Sequence, residues 1–334
     1  MSQYAAAHAS PEGPGDSRPT ALQVVKDEGM EGKLEGKVIV ITGTSSGLGI
    51  ETARALSATG ATLYLTARNV PKAKAALADI AETGRTEFIE MDLESFESVR
   101  AAAGTILAKT GKVNILINNA GIMAVPRLEF TKDGYELQFG TNHLAHFLLF
   151  QLLKPALLGA STPGFHSRVV NVSSAAHCRN GINASDNYNF EKGGYDPWVA
   201  YAQSKTANIY MANEIERRYG SLGLHATSVH PGGILTGLSK HIPDAEVATM
   251  LEDKALVKSL KSPEQGAATT VCAAIGKEWE KKGGKYLADC AEATGENDDG
   301  NMAGAKYASH TYDAESESRL WKDSLKMVGL ADDQ

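Results

Sequence analysis

Thr42-Gly43-Thr44-Ser45-Ser46-Gly47-Leu48-Gly49-Ile50 decides the fold. It closes the apolar run Val38-Ile-Val-Ile-Thr42 and opens a helical pattern, Glu51-Thr-Ala-Arg-Ala-Leu-Ser-Ala-Thr-Gly60. Glycines at a strand-to-helix turn let the backbone approach a pyrophosphate. The helix's first N–H groups and positive dipole end then hold its charge. A lone glycine-rich turn says little, but one that stands first in a β/α series says much more.

That series runs from Lys37 to about Ala288. Further runs follow at 62–66 (TLYLT), 87–91 (EFIEM), 114–118 (NILIN), 168–173 (RVVNVS), 225–230 (HATSVH) and Lys285-Tyr-Leu. Runs that are apolar throughout imply strands covered on both faces, hence a parallel sheet. Strands alternating with helices imply right-handed crossovers. The expected fold is α/β: a doubly wound, seven-stranded Rossmann sheet in three αβα layers. No boundary falls inside 37–288, so residues 21–334 form one domain. It comprises that core, a substrate loop at about 235–260 and a C-terminal helical extension at 289–334. Residues 1–20 are rich in Ala, Pro, Gly and Ser and are expected to be disordered. Ala21 to Glu28 fits a short helix.

Composition excludes several functions. The 334 residues carry a net charge of −7 and no Lys/Arg-rich run, which argues against nucleic acid as a partner. Cys178, Cys272 and Cys290 form no CxxC and read as reduced thiols. No apolar run looks long enough to span a bilayer, and no secretory signal opens the chain. A cytoplasmic protein is expected.

The second strand selects the nucleotide. An acidic residue near its end would hold the ribose 2′-hydroxyl of NAD. Here Ala67 takes that position and Arg68 follows. A guanidinium suits a 2′-phosphate, so NADP(H) is expected, with Lys72 adding charge. The plain alternative is an arginine in solvent.

Tyr201-Ala-Gln-Ser-Lys205 supplies the chemistry. On a helix, side chains at i and i+4 share a face. A cation beside a phenol stabilises the phenolate and should lower its pKa, tuning it to exchange a proton with an alcohol oxygen.

With Asn118-Asn119-Ala120-Gly121, Ser173-Ser174 and His230-Pro231-Gly232 added, the chain resembles the short-chain dehydrogenase/reductase family over about residues 36–290. The TARN end of its second strand points more closely to the retinol-dehydrogenase-like branch. So do the segment Asn180 to Val199 and the tail Leu320-Trp321…Ser324…Gly329-Leu330. The resemblance implies hydride transfer between NADP(H) and a carbonyl or alcohol. Tyr201 would be the general acid or base and Lys205 its pKa modulator and ribose contact. Ser174 would hold the substrate oxygen, and Asn142 would belong to a proton relay at a local helix break. Gly43 to Gly49 would cradle the phosphates. Asn119, Ala120 and Gly121 would leave room for adenosine and ribose, and Asp92-Leu93 would meet adenine. Pro231 and Gly232 would line the nicotinamide end, and Thr236 would bind the carboxamide or the phosphates. Family relatives often dimerise through the helix that carries Tyr201, although terminal extensions can block that, so a homodimer is possible. A non-catalytic NADP(H)-binding scaffold is the rival reading, but such relatives usually lose the tyrosine or lysine.

Ligands bind outside the carboxyl ends of the strands. The segments there offer Met123, Val125, His177, Tyr188, Tyr195, Trp198, Leu235, Leu238 and Met250. Such a lining suits a lipophilic ketone or secondary alcohol. Some other features read as structural. His143 and His146 lack a third metal ligand. His230 precedes a proline. Glu296-Asn-Asp-Asp299 lacks calcium-loop spacing.

Overall fold

The computed structural model describes residues 2–296 and 304–332. Its sheet runs β1 (Val38–Thr42), β2 (Thr62–Ala67), β3 (Thr86–Glu90), β4 (Ile115–Asn118), β5 (Ser167–Val172), β6 (Leu224–His230), β7 (Lys285–Ala288) and β8 (Ala291–Glu292). The spatial order is β3-β2-β1-β4-β5-β6-β7-β8, and every pair is parallel except β7 with β8. The seven expected strands are present. The eighth is a two-residue antiparallel return, too short to leave a periodic signal.

Alternation along β1 divides the core. Val38 and Val40 face one apolar cluster, whereas Ile39 and Ile41 face the other. The first cluster joins the sheet to the helices Phe96–Lys109, Ala145–Ala160 and Pro197–Tyr219. The second joins it to Ala21–Asp27, Leu48–Ser57 and Ala268–Ile275. The order in which successive strands are laid down reverses between β1 and β4, which is where a crevice at the carboxyl ends of the strands is expected.

Two expectations change, on the membrane-length run and on the N-terminus. The helical stretch Leu137–Ala160 is long and apolar enough to cross a membrane by length and composition, but 78% of its most apolar window is buried inside the molecule. Residues 2–20, expected to be disordered, are held by specific bonds. Tyr4 donates to Asp27 (3.0 Å), His8 meets Asp289 (3.2 Å) and Arg18 is buried. The helix expected to mediate dimerisation is covered in part by the tail helix Ala314–Met327. Asn213 donates to Glu317 (2.7 Å), and Trp321 packs against Phe147, Tyr219 and Arg218. Asn297 to Asp299 lie outside the described residues.

Candidate active site

The glycine turn is built by close backbone contact. Gly43 has φ +73°, and a Cβ there would lie 2.7 Å from the Ala120 Cβ. Gly49 would place one 2.3 Å from the Gly43 carbonyl oxygen. Neither position has room for a side chain, so backbone N–H groups line the turn where the helix Leu48–Ser57 begins. A Cβ at Gly47 would lie 3.7 Å from the Thr236 Cβ, which brings the segment after β6 to the phosphate turn. These residues fit a dinucleotide: an open backbone cradle at a helix N-terminus, roofed by a threonine.

Asn119 binds the end of β1 to the end of β4. Its Nδ2 donates to the Thr42 carbonyl (2.7 Å), and its backbone N–H and that of Ala120 donate to the Thr42 hydroxyl (3.0 Å each). Gly121 stands where a Cβ would come within 3.4 Å of the Lys205 Nζ, so the small residue keeps the crevice open beside Lys205. Gly232, at φ +103°, rests on the Lys261 stem directly after Pro231.

The helix Pro197–Tyr219 begins because Asp196 accepts from the Trp198 and Val199 N–H groups (2.9 and 2.8 Å) and proline occupies its first position. Tyr201 and Lys205 are both buried, one and two turns into the helix, with Nζ 5.5 Å from the ring centroid. The Lys205 Nζ donates to the Val172 carbonyl at the end of β5 (3.1 Å). Ser173 and Ser174 point differently, as strand alternation requires. The Ser173 hydroxyl donates to the Lys205 carbonyl (2.8 Å), while Ser174 is part-exposed and is the hydrogen-bond neighbour of the Tyr201 phenol.

The electrostatics correct one expectation. Burial pushes the Tyr201 phenol up to about 12, and the Ser174 hydrogen bond offsets only part of that. Burial also pulls Lys205 down to about 8, which leaves it charged at neutral pH, and the phenol is nonetheless raised because its own burial is the largest effect on it. Tyr201 therefore holds its proton at neutral pH, the state of a proton donor.

Asn142 lies in a π-helical turn, Gly140–Leu144, the expected local break. Its side chain pairs with the Ile122 backbone in both directions (2.9 Å each) and donates to Ser204 (2.9 Å). Its carbonyl accepts from the His146 Nδ1 (2.9 Å), and the His146 Nε2 meets the Thr42 hydroxyl (2.9 Å). Burial pulls His146 down to about 4, so the ring is neutral. A carbonyl can only accept, so Nδ1 carries the proton and Nε2 takes Thr42's. Nothing in the residue order singles out Thr42 and His146 as a link between the cofactor turn and Asn142. The one available signal was a histidine four residues after the helix-breaking asparagine. His143 is buried too, on Ser324 (2.9 Å), away from this link.

Arg68 is two-thirds exposed and pairs with Glu94 (2.7 Å), and Asp92 pairs with Lys132 (2.9 Å). Lys72 is exposed on the next helix, and Leu93 is buried. Of the expected substrate residues, Trp198 sits edge-on to Tyr201 at 6.2 Å, Leu235 and Leu238 are exposed, and Met123 and Met250 are part-exposed. Val125 is buried, and its carbonyl accepts from the Tyr195 hydroxyl (2.9 Å). Tyr188 and His177 do not belong on that wall. Tyr188 stacks on Phe139 and donates to Asp323 (2.7 Å), and His177 is buried against Tyr286. Both fasten the loop after β5 to other parts of the molecule, a use that an aromatic count cannot tell from ligand lining.

The short chain dehydrogenase family matches residues 37–247. A short-chain dehydrogenase/reductase, prx1, from Penicillium roqueforti is 50% identical over 330 residues, covering 99% of this chain and 96% of the relative. Retinol dehydrogenase 12 of Mus musculus is 35% identical, covering 89% of this chain and 88% of its own. A crystal structure of an uncharacterised protein from Mycobacterium Paratuberculosis superposes with a TM-score of 0.66 at 32% identity, covering 89% of this chain and 94% of that one.

Proposed function

Since the chain belongs to the short-chain dehydrogenase/reductase family, with retinol-dehydrogenase-like relatives, it is an oxidoreductase of alcohol and carbonyl groups, and we propose that it works with NADP(H) on a lipophilic ketone, aldehyde or secondary alcohol. The observation that carries this reading is the meeting of the Tyr201 phenol and the Ser174 hydroxyl beside Lys205 and the glycine turn.

A nicotinamide cofactor held at the Gly43–Gly49 turn would supply or accept the hydride. The chain's own part is the proton. Ser174 donates a hydrogen bond to the substrate oxygen and holds it beside Tyr201. Tyr201, protonated at neutral pH, gives its proton to that oxygen in reduction; in oxidation it must first lose that proton, and its phenolate then takes the one the alcohol releases. Lys205 and Asn142 lie behind it as the route by which the proton is replaced. Trp198, Leu235, Leu238 and Met250 favour a lipophilic skeleton over a hydrophilic one.

NADP(H) is favoured by Ala67 and Arg68 together. An exposed ion pair such as Arg68–Glu94 is worth little, so a doubly charged phosphate would outcompete Glu94 for the guanidinium. A scaffold without turnover fits poorly, because it has no use for a buried phenol beside a buried lysine. A homodimer through the helix Pro197–Tyr219 would have to displace the tail helix from Asn213 and Tyr219. We place the protein in the cytoplasm. The test is a panel of lipophilic ketones followed at the NADPH absorbance band. Turnover with these and not with hydrophilic sugars is expected; turnover of sugars alone overturns the substrate class.

A further inference from the structure

The N-terminal segment is tied to the far end of the substrate loop. The helices Asp244–Glu252 and Lys254–Ser259 form that loop, and they bury no residue in the core. Leu235, Leu238 and Leu251 on the same stretch are exposed. Apolar packing therefore does not fix this lid.

Arg18 does. It is only 4% exposed, and its guanidinium reaches across the lid's carboxyl end. Nη1 donates to the Ser259 carbonyl (2.8 Å), and Nη2 to those of Leu260 (2.5 Å), Gly13 (3.1 Å) and, at longer range, Lys258 (3.4 Å). Nε donates to the Asp16 carboxylate (2.8 Å). The last carbonyls of a helix have no partner within it, and a cation there satisfies both their hydrogen bonds and the negative dipole end.

The strap has a second anchor. Gln265 donates to the Asp16 and Arg18 carbonyls (3.1 and 3.0 Å) and accepts from the Gly15 N–H (2.9 Å). One residue on, a Cβ at Gly266 would lie 2.7 Å from Ile234 and 2.8 Å from Leu48, the first residue of the phosphate-turn helix. Arg18 thus connects a loosely packed lid to the rigid side of the crevice.

We propose that Arg18 is a positioning residue for the substrate: it fixes the carboxyl end of the 237–260 lid, and so the apolar wall that meets the lipophilic carbonyl compound. The proposal rests on the reductase reading above. It acts through the lid and touches neither cofactor nor reacting atoms.

The test uses the full-length chain with Arg18→Lys and Arg18→Met. An ammonium keeps the charge but cannot span three carbonyls. Both variants should raise KM for a ketone of the panel by at least about fivefold, with kcat and the KM for NADPH changed less than about twofold. Amide hydrogen exchange should quicken in 254–262 and not in β1–β6. Unchanged ketone KM with unchanged exchange overturns the proposal. So does a rise in exchange across the whole molecule together with a rise in the KM for NADPH, which would make the strap a general brace. If the wild-type chain reduces no ketone, the reductase reading fails by itself. Exchange then decides the strap, and unchanged rates at 254–262 overturn it.

Discussion

Between Thr42 and Gly49 the chain has almost no freedom, and between Gly237 and Ser259 it is bound at few points. The first stretch is fixed by backbone contacts so close that a methyl group cannot enter at Gly43 or Gly49. The second buries nothing in its two helices and is held at its end by one arginine from the other end of the sequence. The difference follows from what each side must do. A dinucleotide presents the same phosphates and ribose to every enzyme that binds it, so a rigid cradle suits it. A lipophilic substrate must enter and leave, and an underpacked cover with a firm hinge allows that.

The largest test of this contrast is Tyr201→Phe. It removes the proton donor and keeps the ring that packs against Trp198. Turnover should fall by about 10²–10⁴-fold, the usual contribution of a positioned acid. NADPH affinity by fluorescence titration should change little. If binding and turnover fall together, the cradle and the proton donor are not separable, and the contrast between rigid and mobile sides has been drawn in the wrong place.

Arg68→Ala probes the exposed rim of the rigid side. Losing a charged hydrogen bond of about 1.5–3 kcal/mol corresponds to a tenfold or larger rise in the NADPH dissociation constant. NADH should bind as before. Equal weakening of both cofactors would mean that Arg68 only tethers Glu94.

The same contrast explains what could be read from residue order. The cofactor side was legible because close backbone approach requires glycine at set positions, and buried parallel strands require apolar runs. Both constraints are local. The strap was not legible. Residues 1–20 carry the composition of a disordered tail, and no local pattern shows that Arg18 will meet carbonyls some 240 residues away. Tyr188 and His177 failed for a related reason. Their loop position was right for a substrate wall, but long-range partners, Asp323 and Tyr286, turned them into fasteners. The direction of the Tyr201 shift was also out of reach. Spacing shows that a lysine is near, whereas burial of both groups decides which effect wins.

That shift gives the smallest and most specific prediction. In the free protein Lys205 loses its proton as pH rises through about 8, while Tyr201 keeps its own to about 12. For ketone reduction, kcat/KM reports the free enzyme. It should be level below pH 8 and fall above it, with the phenol still protonated throughout. The sign follows from burial: it disfavours the charged ammonium, so the active charge is present on the acid side and lost on the basic side. Lys205→Arg should move that limb out of the measurable range, because a guanidinium does not titrate there. A limb left at the same pH in that variant would assign it to another group. Then Lys205 would serve this side of the crevice by position alone, as Asn119 does, and the proton would reach Tyr201 without it.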